Sequence, residues 1–250
     1  MINVVLSGAN GKMGRVIARL IEGMEDIRVC AGVDLNEKPY ADFPIYSSPS
    51  DITENADVII DFSNPAALSG VLKYATEKGI PSVIATTGLS EEQIESLKVA
   101  SETVPVFFSA NMSLGVNLLI GLVKRATQVL YDGFDIEIIE KHHNQKIDSP
   151  SGTALAIANA ISSVLPYDAP YQMGRSGNNT KRTKPEIGIH AVRGGTIVGE
   201  HDVVFAGNDE IIEIKHTAQS KEIFAVGAIK AAKFLTTVPL GMYSMDDIIK

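Results

Sequence analysis

Two histidines, a lysine and an aspartate lie close together near the middle of the chain, at His142, His143, Lys146 and Asp148. Imidazole titrates near neutral pH, and an ammonium group can carry a proton or pair with an anion. Adjacent residues of an extended segment point to opposite sides, so His142 and His143 do not both face one atom. That arrangement disfavours a metal site, and the segment predicts proton delivery or anion binding with no metal.

A helix is predicted to begin directly after this segment. Pro150 precedes Ser151, Gly152 and Thr153, and aliphatic residues then recur at helical spacing as far as Leu165. The first amides of a helix have no acceptor within the helix and lie at the positive end of its dipole, so they bind carboxylates or phosphates. The segment therefore predicts a site for a small anionic substrate beside groups that carry protons.

The chain opens with an aliphatic strand, Ile2 to Leu6, followed by a glycine-rich turn and a helix. Glycines let a pyrophosphate approach the backbone, and Asp34, about twenty residues further on, stands where an acid can hydrogen-bond ribose hydroxyls. The glycine spacing is G-x-x-G-x-x-G, and a turn of this kind can also serve packing alone. With strand, helix and acid in register, we favour a dinucleotide site. Its predicted contacts are Gly8, Ala9, Asn10, Gly11, Lys12, Met13 and Asp34.

Strands and helices go on alternating as far as Ser113, which predicts a parallel, doubly wound sheet. Ligands of such sheets bind beyond the carboxyl ends of the strands, so the loops 8–14, 86–88 and 109–113 should converge on one crevice. Threonine and asparagine there would hold the nicotinamide and its ribose, although capping and turn roles fit them equally well. The further predicted cofactor contacts are Ala85, Thr86, Thr87, Ser109, Ala110, Asn111 and Met112.

The second half of the chain has a different sequence pattern, with several β-like runs in succession. A strand over 136–140 delivers the two histidines, and β-like runs follow at 186–192, 196–198, 201–205 and 211–216. Gly194-Gly195 and Gly207-Asn208-Asp209 are typical of hairpin turns. The pattern predicts a mixed or antiparallel sheet with helices on one face and a partner subunit on the other.

Two other features of the second half are less specific. The stretch 173–185 carries Arg175, Lys181, Arg182 and Lys184 without periodicity, which predicts a mobile loop, either simply solvated or acting as a lid that attracts an anion. The scattered His190, His201 and His216 are interpreted as structural or interface histidines. The sequence contains no internal repeat.

Composition sets the broad class. The 250 residues are 45% hydrophobic and 21% charged, as in ordinary globular proteins. A net charge of −8 argues against nucleic-acid and anionic-membrane partners. Cys30 is the single cysteine and suits a reducing compartment. No apolar run approaches the roughly 20 residues of a membrane helix, so we expect a cytoplasmic protein with no membrane partner.

The segment from Glu140 to Ala154 resembles closely the signature of the 4-hydroxy-tetrahydrodipicolinate reductase (dihydrodipicolinate reductase) family. That signature reads Glu-x-His-His-x-x-Lys-x-Asp-x-Pro-Ser-Gly-Thr-Ala, and every fixed position is met. The resemblance covers nearly the whole chain, including Ala110-Asn111-Met112-Ser113 and the region from Arg193 to His201. It implies a nicotinamide-dependent reduction of a cyclic dicarboxylate to tetrahydrodipicolinate, in lysine and diaminopimelate biosynthesis.

The resemblance also implies residue roles. Hydride transfer to a double bond conjugated to an imine leaves negative charge that a nearby acid must quench, and His142 and Lys146 match the family's proton-handling pair. His143, Lys146, Gly152 and Thr153 match the groups that hold the two carboxylates, with Ser151 at the helix start beside them.

At the level of domains, the resemblance implies a Rossmann-like domain over 1–112 and 221–250. A substrate-binding and tetramerisation domain, α+β with a mixed sheet, is inserted over 113–220. Similar enzymes are homotetramers joined through the β-rich domain.

The cofactor and the exact activity stay open at this point. Asp34 favours NADH because an acid repels the 2′-phosphate of NADPH, and Leu35 stands where some relatives carry an arginine that accepts this phosphate. Lys12 and Arg15 could still reach the phosphate, so we expect both cofactors to work, with NADH at least competitive. The alternatives are a dehydrogenase for another small substrate such as aspartate or a sugar, and a non-catalytic NAD(H)-sensing protein.

Overall fold

The structure, a computed structural model, describes residues 1–249, which form two compact units. One unit contains Met1–Leu114 together with the chain from Glu222 onward, and the other contains Gly115–Lys221. No helix within residues 1–249 has the length and apolar content that crossing a bilayer requires.

Residues 1–249 contain twelve β-strands and seven α-helices, numbered here in chain order. The strands are β1 (Ile2–Ser7), β2 (Ile27–Val33), β3 (Ile45–Tyr46), β4 (Val58–Asp61), β5 (Ser82–Ile84), β6 (Val106–Phe108), β7 (Asp135–His142), β8 (Tyr171–Met173), β9 (Ile187–Arg193), β10 (Gly199–Ala206), β11 (Ile211–Ala218) and β12 (Met242–Tyr243). The helices are α1 (Lys12–Glu22), α2 (Leu68–Lys78), α3 (Glu91–Ser101), α4 (Leu114–Leu130), α5 (Gly152–Ser162), α6 (Glu222–Leu235) and α7 (Met245–Ile249).

The first unit is built on a seven-stranded sheet in the order β12-β6-β5-β4-β1-β2-β3, with all neighbours parallel. Its central strands are aliphatic on both faces because helices cover both. One apolar cluster joins the sheet to α1 and α6, and the other joins it to α2 and α3. These features confirm the doubly wound, Rossmann-like sheet expected from the alternating pattern.

The strand order reverses between β1 and β4, which are hydrogen-bonded neighbours at the centre of the sheet. The chain leaves β1 towards β2 on one side and leaves β4 towards β5 on the other. In open parallel sheets such a reversal opens a crevice at the carboxyl ends of the two strands. The glycine-rich turn after β1 and Phe62-Ser63 after β4 therefore lie at the position where a nucleotide is expected.

The second unit is built on a five-stranded mixed sheet in the order β11-β10-β7-β9-β8. β10 is antiparallel to both β11 and β7, whereas β9 is parallel to β7 and β8. Alternate residues of β7 and β10 are buried, and α4 and α5 pack on that face. The mixed sheet expected for this part of the chain is confirmed.

Two local predictions in this sheet are wrong. Residues 196–198 form no strand, and Gly194-Gly195 is no hairpin turn, because β9 and β10 are not neighbours. β7 lies between them, and the connection crosses its end, where Gly194 N donates to His142 O (2.9 Å) and Asn144 N donates to Gly195 O (3.2 Å). The Gly207–Asp209 turn does join directly paired strands, β10 and β11.

The basic stretch before β9 is anchored through two of its arginines. Arg175 and Arg182 both donate to the Glu137 carboxylate, and Arg182 also pairs with Asp135. Arg175 further pairs with Glu186. These guanidinium groups are turned onto the sheet, which argues against a lid whose arginines reach out for an anionic substrate.

Candidate active site

The last residues of β7 bring a carboxylate and an imidazole together on one face of the second unit's sheet. Glu140 and His142 are two residues apart, and strand alternation places both on the buried face. Glu140 Oε2 lies 2.6 Å from His142 Nδ1. Because an ionised carboxylate only accepts hydrogen bonds, His142 donates through Nδ1 and presents Nε2 as its second functional nitrogen.

Arg193 compensates the buried charge of Glu140. It lies on β9, opposite His142 in the strand pairing, and its Nη1 and Nη2 donate to Oε2 (2.8 Å) and Oε1 (2.7 Å) of Glu140. Burial alone would raise the pKa of this carboxyl group. The Arg193 guanidinium, His142 and the Ser151 backbone amide outweigh burial, and the pKa of Glu140 lies below its usual value. Glu140 is therefore an anion at neutral pH.

The loop after β7 carries His143 and Lys146. His143 is half-buried, and its carbonyl accepts from Lys146 N at 3.2 Å, which forms a turn. Lys146 Nζ lies 2.7 Å from Asp148 Oδ1, and the Lys146 side chain is 20% exposed. Chiefly because of Lys146, the pKa of Asp148 is lowered. The loop thus presents one imidazole and one ammonium group, and the ammonium is paired with a carboxylate that is itself largely exposed.

Helix α5 begins at Gly152, and Ser151 is its N-cap residue. Ser151 Oγ accepts from Ala154 N at 3.1 Å, and Ser151 N donates to Glu140 Oε1 at 2.9 Å. The cap explains why the helix begins here: the hydroxyl replaces an acceptor that the first turn lacks. Glu140 therefore contacts both the imidazole of His142 and the residue that starts α5.

His201 of β10 completes this cluster. Its Nε2 lies 3.0 Å from Ser151 Oγ, and its ring is edge-on to that of His142 with centroids 5.2 Å apart. Ser151 Oγ and His201 Nε2 share one hydrogen bond, which either atom can donate because the hydroxyl also keeps acceptor capacity beside its bond from Ala154 N. Burial, followed by the nearby charge of His142, lowers the pKa of His201 to about 4.

Three members of this cluster were left out of the predicted site: Glu140, Arg193 and His201. Glu140 was quoted within the segment, but its charge is compensated by Arg193, which lies 53 residues further along the chain. His201 was interpreted as structural or at an interface, and its burial agrees with the first reading. The available signal was the spacing of Glu140 and His142 on one strand, which already predicts that their side chains share a face.

In the first unit, the glycine-rich turn is shaped for a close approach of backbone to ligand. Gly8 has φ +78°, and a Cβ there would lie 2.7 Å from Phe62 O. A Cβ at Gly14 would lie 2.2 Å from Gly8 O, so α1 packs directly on the turn. Gly11 is the N-cap of α1 and has no capping side chain. An eleven-residue helix that begins in this way offers its first amides to a phosphate.

Asp34 stands at the end of β2, beside this turn. Its Oδ2 accepts from Asn10 N and its Oδ1 accepts from Asn36 N, both at 3.0 Å. Each oxygen keeps further acceptor capacity for a ribose hydroxyl. Arg15 is held nearby: Nη2 donates to Asn10 Oδ1 at 2.6 Å, and the guanidinium stacks 4.2 Å above the Tyr40 ring. Leu35, the next residue after Asp34, is 90% exposed.

A cavity of about 310 Å³ lies among the loops that follow β4, β5 and β6. Thr86 lines it, and its Oγ1 donates to the fully buried Asp61 at 2.6 Å, as does Ser63 Oγ. Asp61 was not among the predicted residues, although it holds two of these loops together. The lining residues are Phe62, Ser63, Ala85, Thr86, Thr87, Ala110, Met112 and Phe224.

The predicted cofactor contacts after β6 form a turn of their own. Ser109 Oγ donates to Asn111 O at 2.8 Å, and Asn111 Oδ1 accepts from Ser113 N at 3.0 Å. Met112 is buried, and Ala110 is exposed at the cavity. Among the residues near β1, Ala9 is buried and Met13 packs against the core, while Lys12 is exposed.

Comparison with known proteins gives consistent matches over the full length. Profiles described as "Dihydrodipicolinate reductase, N-terminus" and "Dihydrodipicolinate reductase, C-terminus" match residues 2–112 and 115–249. The 4-hydroxy-tetrahydrodipicolinate reductase of Caldanaerobacter subterraneus subsp. tengcongensis is 56% identical, covering 100% of this chain and 99% of the relative. The reductase of the same name from Clostridium tetani is 51% identical and covers 98% and 96%.

A solved structure shares the fold. Dipicolinate-bound dihydrodipicolinate reductase from Paenisporosarcina sp. TG-14 superposes with a TM-score of 0.84 at 24% sequence identity, and the match covers 99% of each chain. The profile matches extend over nearly all of the chain, and the curated relatives named above are more than half identical to it. The chain therefore belongs to the dihydrodipicolinate reductase family.

Proposed function

We propose that this protein reduces 4-hydroxy-tetrahydrodipicolinate, via dihydrodipicolinate, to tetrahydrodipicolinate in lysine and diaminopimelate biosynthesis. The observation that carries the proposal is the junction of β7 and α5. There an imidazole held by a buried carboxylate, a second imidazole and an ammonium group adjoin the start of a helix. Proton donors and an anion-binding helix start are what the reduction of a cyclic dicarboxylate needs.

A nicotinamide dinucleotide fits the first unit. The turn at Gly8 and the uncapped start of α1 suit a pyrophosphate, Asp34 suits a ribose, and the cavity lined by Thr86 and Ala110 suits a small ring. We assign Gly8, Ala9, Asn10, Gly11, Lys12, Met13 and Asp34 to the adenosine and pyrophosphate half. We assign Ala85, Thr86, Thr87, Ser109, Ala110, Asn111 and Met112 to the nicotinamide half. A bound NADH or NADPH would supply the hydride.

The second unit would bind the substrate and handle the proton. His143, Lys146, Ser151, Gly152 and Thr153 hold the two carboxylates, partly through backbone amides at the start of α5. His142 and Lys146 carry protons to the negative charge that hydride addition leaves on the ring. Lys146 exchanges its contact with Asp148 for a substrate carboxylate, and the exposed Asp148 returns to water at little cost.

We further propose that NADH and NADPH both serve, with NADH at least competitive. Asp34 disfavours a 2′-phosphate, and Leu35 provides no cation for one. Arg15 is engaged by Asn10 and Tyr40, so it would have to leave these contacts to bind the phosphate. A strict requirement for NADPH in steady-state kinetics would contradict this assignment.

The assembly and the location are part of the proposal. We infer a homotetramer joined through the sheet face of the second unit that α4 and α5 do not cover. Glu137, Ile139 and Lys141 of β7 point to that face and are half-exposed. The mass of the assembled protein in solution tests this. We also propose that the protein acts in the cytoplasm, where Cys30 stays reduced.

The deciding experiment follows NADH and NADPH oxidation at the nicotinamide absorbance band. The substrate is made in situ by a dihydrodipicolinate synthase from pyruvate and aspartate semialdehyde. Oxidation that depends on the synthase supports the reductase. Tight NADH binding without synthase-dependent oxidation would indicate a sensing protein, and oxidation with oxaloacetate and ammonia instead would indicate an aspartate dehydrogenase.

A further inference from the structure

Glu140 is the most buried charged group of the second unit's site, with an exposed fraction of 0%. Each of its oxygens has two donors: Oε1 accepts from Ser151 N and Arg193 Nη2, and Oε2 accepts from Arg193 Nη1 and His142 Nδ1. All four distances lie between 2.6 and 2.9 Å. A buried carboxylate with four donors holds a fixed position, because moving it would leave a charge or an amide unpaired.

Two of these four donors belong to residues with a proposed role in the reaction. His142 handles the proton, and Ser151 caps the helix whose first amides bind the substrate. The carboxylate therefore sets the orientation of the His142 ring and the position of the first turn of α5 at the same time. Arg193 keeps Glu140 ionised and in place, and its Nη2 also donates to Asp148 O at 2.8 Å.

We propose that Glu140, clamped by Arg193, is a positioning residue for the reduction. It holds His142 in the Nδ1–H tautomer, so that Nε2 exchanges the proton, and it fixes that nitrogen relative to the start of α5. The inference rests on the proposed function, because it assigns Glu140 a part in that reaction. It follows from a general requirement: an acid–base imidazole needs a partner on its other nitrogen to set tautomer and direction.

A buried Glu–Arg pair can also serve the fold alone, and the same strand offers a matched comparison. Glu137 is three residues earlier, on the opposite face, and is likewise bound by arginines (Arg175 and Arg182) and a histidine, His190. It touches none of the residues assigned to the reaction. Glu137→Gln therefore removes a similar charged cluster without disturbing His142.

The first test is made on the unaltered protein and needs no activity. Long-range ¹H–¹⁵N NMR of the imidazoles, with the His142 signals assigned through His142→Ala, reports which nitrogen carries the proton. We expect neutral His142 as the Nδ1–H tautomer, and in Glu140→Gln we expect the Nε2–H tautomer to gain population. An Nε2–H tautomer in the unaltered protein would overturn the proposal, whether or not Glu140→Gln folds.

The second test asks whether Glu140 acts through His142. Glu140→Gln should lower kcat on the order of 10- to 100-fold, the effect of losing an orienting partner of a functional imidazole, and change KM less. In a His142→Ala background, the same change should alter kcat by less than about twofold, because the effect on kcat passes through His142. The remaining contact with Ser151 N positions the substrate-binding helix start, so its loss should appear in KM. Glu137→Gln should keep the kcat of the unaltered protein. Melting temperatures and masses in solution are compared between the two variants, to check that they are equally folded and equally assembled. Equal losses from Glu140→Gln with and without His142 would overturn the proposal.

The two tests separate this inference from the proposed function. If the unaltered protein reduces no dihydrodipicolinate, the proposed function fails, while the NMR tautomer still reports on the Glu140–His142 contact. If the protein turns over normally but Glu140→Gln behaves like Glu137→Gln, the function stands and the positioning role of Glu140 is contradicted.

Discussion

His142 lies against Gly199, the first residue of β10, and an added side chain there would press on the imidazole ring. A Cβ at position 199 would lie 3.1 Å from His142 Nε2, the nitrogen opposite the one held by Glu140. The imidazole therefore has a carboxylate at Nδ1 and the buried backbone of Gly199 beside Nε2. We expect this glycine to keep a side chain away from the nitrogen that is proposed to exchange the proton.

Gly199→Ala should lower kcat roughly 10-fold or more, because a displacement of the proton donor by a fraction of an ångström is costly in the transition state. The measurement is steady-state kinetics with the substrate generated in situ. Gly194→Ala is the matched control: it lies in the same β9–β10 connection, and an added Cβ there meets nothing within 4 Å. Equal kcat values in the two variants would show that the space beside Nε2 is not used.

Leu35→Arg should shift the cofactor preference towards NADPH. Position 35 is 90% exposed directly after Asp34, so an arginine there can reach a 2′-phosphate without unfolding anything. A charge-assisted hydrogen bond contributes about 1.5–3 kcal/mol, which corresponds to roughly a 10- to 150-fold rise in the ratio of kcat/KM for NADPH over NADH. Leu35→Gln, of similar length and no charge, should leave the ratio unchanged. An unchanged ratio in Leu35→Arg would mean that the 2′-hydroxyl of the bound cofactor does not lie beside position 35.

His201 should make the fold sensitive to acid above the range in which carboxylates protonate. Its pKa falls from 6.5 to about 4 because the ring is buried, so the unfolded chain binds a proton that the folded chain does not. Stability is full above about pH 6.5 and declines as the pH falls towards 4, by at most about 3 kcal/mol for such a shift. Glu140, whose pKa is lowered, acts in a separate window: it stabilises above its unfolded pKa and that contribution is lost below it.

Urea denaturation from pH 7.5 to pH 4 measures this effect. His201→Gln replaces the imidazole at position 201 by an amide that does not titrate, so the unfolding free energy of this variant should decline less steeply than that of the unaltered protein between pH 6.5 and 4. Parallel curves for the two proteins would mean that His201 is not held neutral by burial.

The first unit could be predicted almost completely because its signals are local. The aliphatic runs of β1, β2 and β4 alternate with helical periods, and one topology accounts for strands in that pattern. The short edge strands β3 and β12 were missed, since each has two residues and neither has a period of its own. Asp61 was missed because its partners, Ser63 and Thr86, belong to different loops.

The second unit was harder to predict because its sheet joins distant parts of the chain. β9 and β10 follow each other with two glycines between them, which favours a hairpin, yet β7 is inserted between them. The same insertion brings Arg193 and His201 to Glu140 and His142. Functional roles could be predicted for the segment from Glu140 to Ala154 because its residues are neighbours in sequence. The groups that orient them come from distant parts of the chain and meet them only in the folded sheet.

The most direct test of the proposed proton-delivery site measures the turnover of Lys146→Ala and of His142→Ala with the substrate made in situ. The NADH affinity of each variant is measured beside it. Each change removes a group that is proposed to carry a proton in the second unit, so we predict that kcat falls by about 10²- to 10⁴-fold. NADH affinity should stay unchanged, because the glycine turn and Asp34 belong to the first unit. Turnover near that of the unaltered protein in both variants, with NADH bound as before, would contradict the assignment of proton delivery to this site.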